Sequence, residues 1–109
     1  MRTPKNNRPA VFVDVDGTLV EWSKRNGRFN ARLNAQLNER LVGIWLGYEG
    51  KPTPPPDLIL WSRRGREYAQ AMADKFDVAW MFCAIIGKPT TIIDDEGLEW
   101  MKGVRVQKK

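Results

Sequence analysis

The chain has 109 residues, of which 42% are hydrophobic and 28% charged, a composition that supports one packed core, leaves no room for two, and excludes wholesale disorder. Histidine is absent and cysteine occurs once, at Cys83, so Ser-His and Cys-His nucleophile pairs, histidine-based zinc sites and disulfide frameworks are excluded together. The formal charge of +5 favours contact with phosphates but is equally ordinary for a solvated surface.

Residues 1–9 read as a basic, polar arm. The apolar stretch behind it is cut by Asp14 and Asp16, which a secretory signal would not tolerate, and no apolar run approaches the roughly 18 residues of a membrane span. The expectation is a cytoplasmic protein without membrane contact. Ala10 to Val15 (AVFVDV) is short and β-branched, as suits a strand of a parallel sheet. Gly17 and Thr18 break it. Around Asn26-Gly27, a strong two-residue turn signal, VEWS and RFN predict a small β-hairpin over residues 20–30. Asn30 is the expected N-cap of a first helix, carried by Leu33, Leu37, Leu41, Ile44 and Tyr48.

Four prolines between Lys51 and Pro56 predict an extended connector. Asp57 to Ser62 (DLILWS) is a second apolar strand, and a second helix from Gly65 to Phe76 presents Tyr68, Ala69, Met72, Ala73 and Phe76 on one side. A short strand is expected near Val78, with an apolar stretch through Ile86. After the Gly87-Lys88-Pro89 break, Thr90 to Asp95 (TTIIDD) reads as a further strand, with Val104 to Val106 as a fifth. Trp45, Trp61, Trp80 and Trp100 are assigned to the core. Alternating strands and helices predict a single α/β domain over residues 1–109, a Rossmann-like three-layer arrangement with a mostly parallel sheet and a site at the carboxyl ends of the strands.

That edge would gather Asp14 and Asp16 after the first strand, Ser62 after the second, and Asp94 with Asp95 after the fourth. Four converging carboxylates repel one another and push their pKa values up unless a cation sits among them. A hard divalent ion is the natural remedy, and Mg²⁺ uses one or two carboxylates plus water and substrate phosphate.

The residues DVDGTL at positions 14–19 resemble the first motif of the haloacid dehalogenase-like phosphohydrolases. LILWS, Gly87-Lys88-Pro89 and TTIIDDE resemble the second, third and fourth motifs in the same order, so the resemblance spans positions 11–96. It implies a Mg²⁺-dependent phosphatase that hydrolyses a phosphomonoester through an aspartyl-phosphate. Asp14 would be the nucleophile and Asp16 the general acid/base, its carbonyl also meeting the metal; a carboxylate-rich pocket would raise the Asp16 pKa enough for that role. Asp14, Asp16, Asp94 and Asp95 would form the metal site. Gly17 and Thr18 would turn backbone N–H groups towards phosphoryl oxygens, Ser62 would donate to them, and Lys88 would neutralise charge between nucleophile and phosphate.

Two departures from the family pattern bear on the site. Only five residues separate Lys88 from Asp94, where the family places a helix, and this leaves Arg63 and Arg64 as competitors of Lys88 for the phosphate clamp. No segment is long enough for a cap domain, so the site is expected to be open unless a second copy of the chain roofs it. Lys24, Arg25 and Arg28 on the hairpin, with Arg63, Arg64 and Arg66, would then form a basic rim suited to a small phosphorylated molecule or a nucleic-acid end. Trp22 either packs the hairpin onto the domain or offers a stacking face to a base. The alternative from another class is a phosphate or nucleic-acid binding module that retains the fold without turnover; the intact Asp16 argues against it, since a pure binder needs no acid/base group.

Overall fold

The computed structural model describes residues 9–47, 56–97 and 99–107. The polar arm over residues 1–8, Tyr48 and the proline connector at 51–55 lie outside the described residues, as does the side chain of Trp100. In chain order the elements are β1 (Ala10–Asp14), β2 (Val20–Arg25), β3 (Arg28–Leu33), α1 (Ala35–Leu46), β4 (Asp57–Ser62), α2 (Arg66–Lys75) and β5 (Ala84–Gly87), with 3₁₀ turns at Ala79–Met81 and Glu99–Gly103. β1, β4 and β5 form a parallel sheet in that order, and β2 and β3 form a separate antiparallel pair. The molecule is therefore α/β with a parallel sheet and a hairpin.

The sheet register explains how many layers form. Val13 pairs with Leu60 and Leu60 with Ile85, while Phe12 pairs with Ile59 and Asp14 with Trp61. Paired residues share a face. Val13, Leu58 and Leu60 are buried together with Leu37 and Leu41 of α1 and Ala69 and Ala73 of α2 in one core, where each large aliphatic side chain contributes about 1.5–3 kcal/mol. On the opposite face Phe12 is 46% exposed and its ring meets that of Trp61 at 4.5 Å. The strand order advances in one direction, and α1 and α2 both contribute to the same core, as successive crossovers of one hand require. The expected three layers are thus two among the described residues, because no reversal of strand order carries a helix to the second face.

Local sequence accounts for most boundaries. Asn26 (φ 53°) and Gly27 (φ 75°) form the left-handed two-residue turn between Arg25 and Arg28, the geometry that matches strand twist. The hairpin extends past residue 30, since Ala31, Arg32 and Leu33 pair with Trp22, Glu21 and Val20. Asn30 therefore lies in β3. The N-cap of α1 is Asn34, whose side-chain oxygen accepts from the Leu37 N–H at 3.2 Å.

Val78 does not begin a strand. It follows Asp77 (φ 56°) and leads into a 3₁₀ turn, and the strand starts at Ala84. Thr90–Asp95 and Val104–Val106 are not strands, with Ile93 95% and Val106 87% exposed. A strand added in parallel needs a crossover of a dozen residues or more, and the two residues between Gly87 and Thr90 supply none. Of the assigned core tryptophans, Trp45 packs against the core, Trp61 lies on the open face, and Trp80 is exposed with its ring edge-on to Trp45. No helix among the described residues is long and apolar enough to cross a membrane.

Candidate active site

β1 ends at Asp14, and the next six residues fold back tightly. The Leu19 N–H donates to the Asp14 carbonyl at 3.1 Å and the Val20 N–H to the Val15 carbonyl at 2.9 Å. Gly17 turns the chain at φ +76°, a conformation that side chains other than glycine resist. Val15, Leu19 and Val20 are fully buried, so the loop is anchored at its base while Asp14 and Asp16 remain accessible. The Gly17 N–H donates to Val20 O at 2.8 Å and the Thr18 N–H to Val15 O at 3.2 Å. Both amides expected to face a phosphate are thereby engaged inside the loop.

The ends of β4 and β5 are tied through one carbonyl. The oxygen of Ser62 accepts from the Gly65 N–H at 3.1 Å and the Lys88 N–H at 2.9 Å, which sets Lys88 at the carboxyl end of β5. A Cβ on Gly87 would lie 3.5 Å from the Gly65 Cα, so the start of α2 packs closely on the strand. The Ser62 side chain is 2% exposed, and its Oγ accepts from the Arg64 N–H at 3.0 Å. The hydroxyl proton is a separate donor that rotates to suit its partner.

These strand ends enclose a cleft of about 280 Å³ lined by Asp14, Asp16, Ser62, Arg63, Arg64 and Lys88. Lys88 Nζ lies 3.2 Å from Asp14 Oδ1 and 5.7 Å from the centre of the Trp61 ring. Arg64 Nη1 lies 3.7 Å from Asp16 Oδ2, and its guanidinium stacks 3.8 Å over the Tyr68 ring. Lys88 thus faces Asp14, Arg64 faces Asp16, and Arg63 also lines the cleft.

Asp16 has partners that the sequence pattern does not provide for. Its Oδ1 accepts from the Tyr68 hydroxyl at 2.5 Å and from the Trp22 indole N–H at 2.9 Å. Burial acts to raise its pKa, but the bonds from Tyr68 and Trp22 and the charge of Arg64 outweigh it and hold the carboxyl below its ordinary value. The expected upward shift is absent because Asp16 is surrounded by donors instead of carboxylates. Burial and the same hydrogen bond push Tyr68 up to about 12. Helical spacing alone places Tyr68 on an apolar helix face; the available signal is its hydroxyl, which needs a partner wherever the ring is partly buried.

Asp94 and Asp95 do not line this cleft. They lie in an exposed turn, where Asp94 Oδ1 accepts from the Glu96 N–H at 2.8 Å. Without a fourth strand nothing carries them to the carboxyl edge of the sheet. Among the described residues no cluster of three or more acidic, histidine or cysteine side chains is poised around a cation. Of the four acids only Asp14 and Asp16 line the cleft, and one carboxylate, from Asp14, with the Asp16 backbone carbonyl, water and substrate oxygens would be a donor set of the kind Mg²⁺ accepts. A larger groove of about 710 Å³ lies along α2 and β5, lined by Arg66, Glu67, Gln70, Ala71, Asp74, Cys83 and Ile85. None of the strand-end residues borders it, so size does not mark the site. Compared with family models, curated proteins and solved structures, the chain matches none.

Proposed function

We propose that this chain is a Mg²⁺-dependent phosphomonoester hydrolase of the haloacid dehalogenase-like type, with a Rossmann-like parallel sheet and a cytoplasmic setting. The observation that carries the reading is the convergence of Asp14, Asp16, Ser62, Arg63, Arg64 and Lys88 on one cleft at the carboxyl ends of three parallel strands. An oxygen of Asp14 attacks phosphorus, an Asp14–phosphate bond forms, and the bond to the leaving oxygen breaks. That oxygen takes a proton from Asp16. Water then attacks phosphorus, giving a proton to Asp16, and the Asp14–phosphate bond breaks, releasing inorganic phosphate and the Asp14 carboxylate.

The cations around the cleft suit this chemistry, since phosphoryl transfer depends mainly on positioning and charge stabilisation. Lys88 offsets the repulsion between Asp14 and an anionic phosphate. Ser62 donates to a phosphoryl oxygen. A phosphate dianion that draws Arg64 away from Asp16 removes an attractive charge and adds a repelling one, and both effects raise the Asp16 pKa towards the range where it carries a proton. The Asp14 carboxylate and the Asp16 backbone carbonyl would hold Mg²⁺, which would supply further neutralisation of the phosphoryl group.

A second reading, a phosphate-binding module without turnover, draws on one observation: Asp16 is held ionised in the resting cleft. The two separate in an assay of phosphate release from nucleotides, sugar phosphates and phosphorylated oligonucleotides, with Mg²⁺ or with EDTA. Hydrolysis predicts turnover in Mg²⁺ that is abolished by Asp14→Asn and reduced about 10²- to 10⁴-fold by Asp16→Asn. Saturable phosphate binding with no release from any ester assigns the chain to the second reading.

A further inference from the structure

The hairpin carries a feature that phosphate hydrolysis alone does not require. Residues 20–33 contain Lys24, Arg25, Arg28 and Arg32 against the single acid Glu21. Side chains alternate along β2, so Val20, Trp22 and Lys24 share a face, opposite Leu33, Ala31 and Phe29 on β3. At the base of that face Val20 is buried and Leu33 and Ala31 pack on the core. Further out, Trp22 is 42% and Phe29 70% exposed. The Trp22 N–H is bonded to Asp16, so the row begins at the cleft, and the next pair lies about 7 Å beyond it. There Lys24 Nζ stands 5.6 Å from the centre of the Phe29 ring.

From this row we infer that the substrate phosphate is the end of a single-stranded nucleic acid, with the terminal base on Trp22, its neighbour on Phe29, and the adjoining backbone phosphate against Lys24. The inference rests on the cleft being the phosphate site of the proposed hydrolase. Two exposed aromatic rings in succession, interleaved with cations, are what sequence-tolerant recognition of single strands uses: each ring stacks a base and each cation meets a phosphate. A buried metabolite site would instead surround its ligand with apolar walls, and this cleft has none of its own beyond the strand ends. An acidic peptide would satisfy the cations but leave Phe29 in water.

Binding is measured apart from turnover, by fluorescence anisotropy of the full-length Asp14→Asn chain with a terminally phosphorylated thymidine octamer, and with the uridine octamer. Thymidine monophosphate, inorganic phosphate and polyglutamate serve as competitors. Either octamer should bind at least tenfold more tightly than the monophosphate. Phe29→Ala, at an exposed position where folding is not at stake, should weaken octamer binding about 5- to 100-fold, the range seen for loss of one stacked base. Ser23→Ala, on the other face of β2, should leave it within twofold. Two phosphate contacts, the terminal one in the cleft and one against Lys24, predict a loss of about 7-fold between 50 and 200 mM salt. Equal competition by monophosphate, equal competition by polyglutamate, or an unaltered Phe29→Ala overturns the inference. If octamer binding keeps these dependences while no ester is hydrolysed, the hydrolase reading fails and the nucleic-acid site stands. If the wild-type chain hydrolyses small esters but the octamer has no advantage, the nucleic-acid site alone fails.

Discussion

Lys88 reaches Asp14 across the width of the sheet, Nζ to Oδ1 at 3.2 Å, although β4 stands between their strands. The reach is set by the backbone. The Lys88 N–H is bonded to Ser62 O, so the long side chain starts from the same edge of the sheet as Asp14 and crosses over the end of β4.

This pair predicts a separation of stability from activity. Both side chains are about one-third exposed or less, and an ion pair of this kind contributes no more than about 1 kcal/mol. Lys88→Met should therefore shift the Tm by only a few degrees. Phosphate release should fall about 10²- to 10³-fold, the usual effect of losing one preorganised charge-stabilising group. Calorimetry beside steady-state kinetics checks both halves, and an unchanged kcat would remove Lys88 from the chemistry.

Asp16 and Tyr68 predict opposite limbs of the pH–stability curve. The Asp16 pKa is lowered from 3.8 in the fold, so its contribution is present above that value and disappears as pH falls through the folded-state value beneath it. Asp16→Asn should flatten the acid limb below about pH 4. Tyr68 is raised from 10.0 to about 12. Its contribution is complete below pH 10 and disappears as pH rises towards 12. In a spectrophotometric titration of tyrosinate, the late step should vanish in Tyr68→Phe.

Metal binding predicts a thermal shift that needs no substrate. A cation bound only by the folded chain stabilises it by mass action, by about 2.7 kcal/mol at a hundred times its Kd. Mg²⁺ should raise the Tm by several degrees in the wild-type chain, and Asp14→Asn should remove most of the effect. Asp94→Asn should leave it intact, because Asp94 sits in an exposed turn that does not border the cleft. Loss of the shift on Asp94→Asn would restore Asp94 to the ligand set.

The two faces of the sheet predict unequal costs for core substitutions. Leu60 is fully buried, and Leu60→Ala should cost about 2–5 kcal/mol. Phe12 is 46% exposed on the uncovered face, so Phe12→Ala should cost distinctly less than the roughly 3–5 kcal/mol of a buried phenylalanine. Urea unfolding of both variants measures the difference. Equal costs would mean that the outer face is covered in solution.

Elements whose signals are local were legible before the fold was known. AVFV and DLILW gave β1 and β4 through β-branched and apolar runs, Asn26-Gly27 gave the turn because few other residues accept two successive left-handed conformations, and α2 followed from its apolar side. Boundaries set by distant partners were not legible. Asn30 and Asn34 are the same residue type and both can cap a helix, and only the pairing of residues 31–33 with β2 decides between them.

The sequence by itself determined which chemistry was at hand: no histidine, one cysteine, acids and a serine at strand ends, and a lysine after an apolar run. Strand-end position is a local property, so the gathering of Asp14, Asp16, Ser62 and Lys88 on one cleft followed once the strands were parallel. Tertiary structure alone decided the rest. It turned the Tyr68 hydroxyl and the Trp22 indole onto one oxygen of Asp16 from elements far apart in the chain, and so lowered a pKa that counting carboxylates would have raised. It also left Thr90–Asp95 outside the sheet. Apolar character makes a segment able to form a strand, but pairing needs a free edge and enough chain to reach it, and that depends on where the previous strand ended.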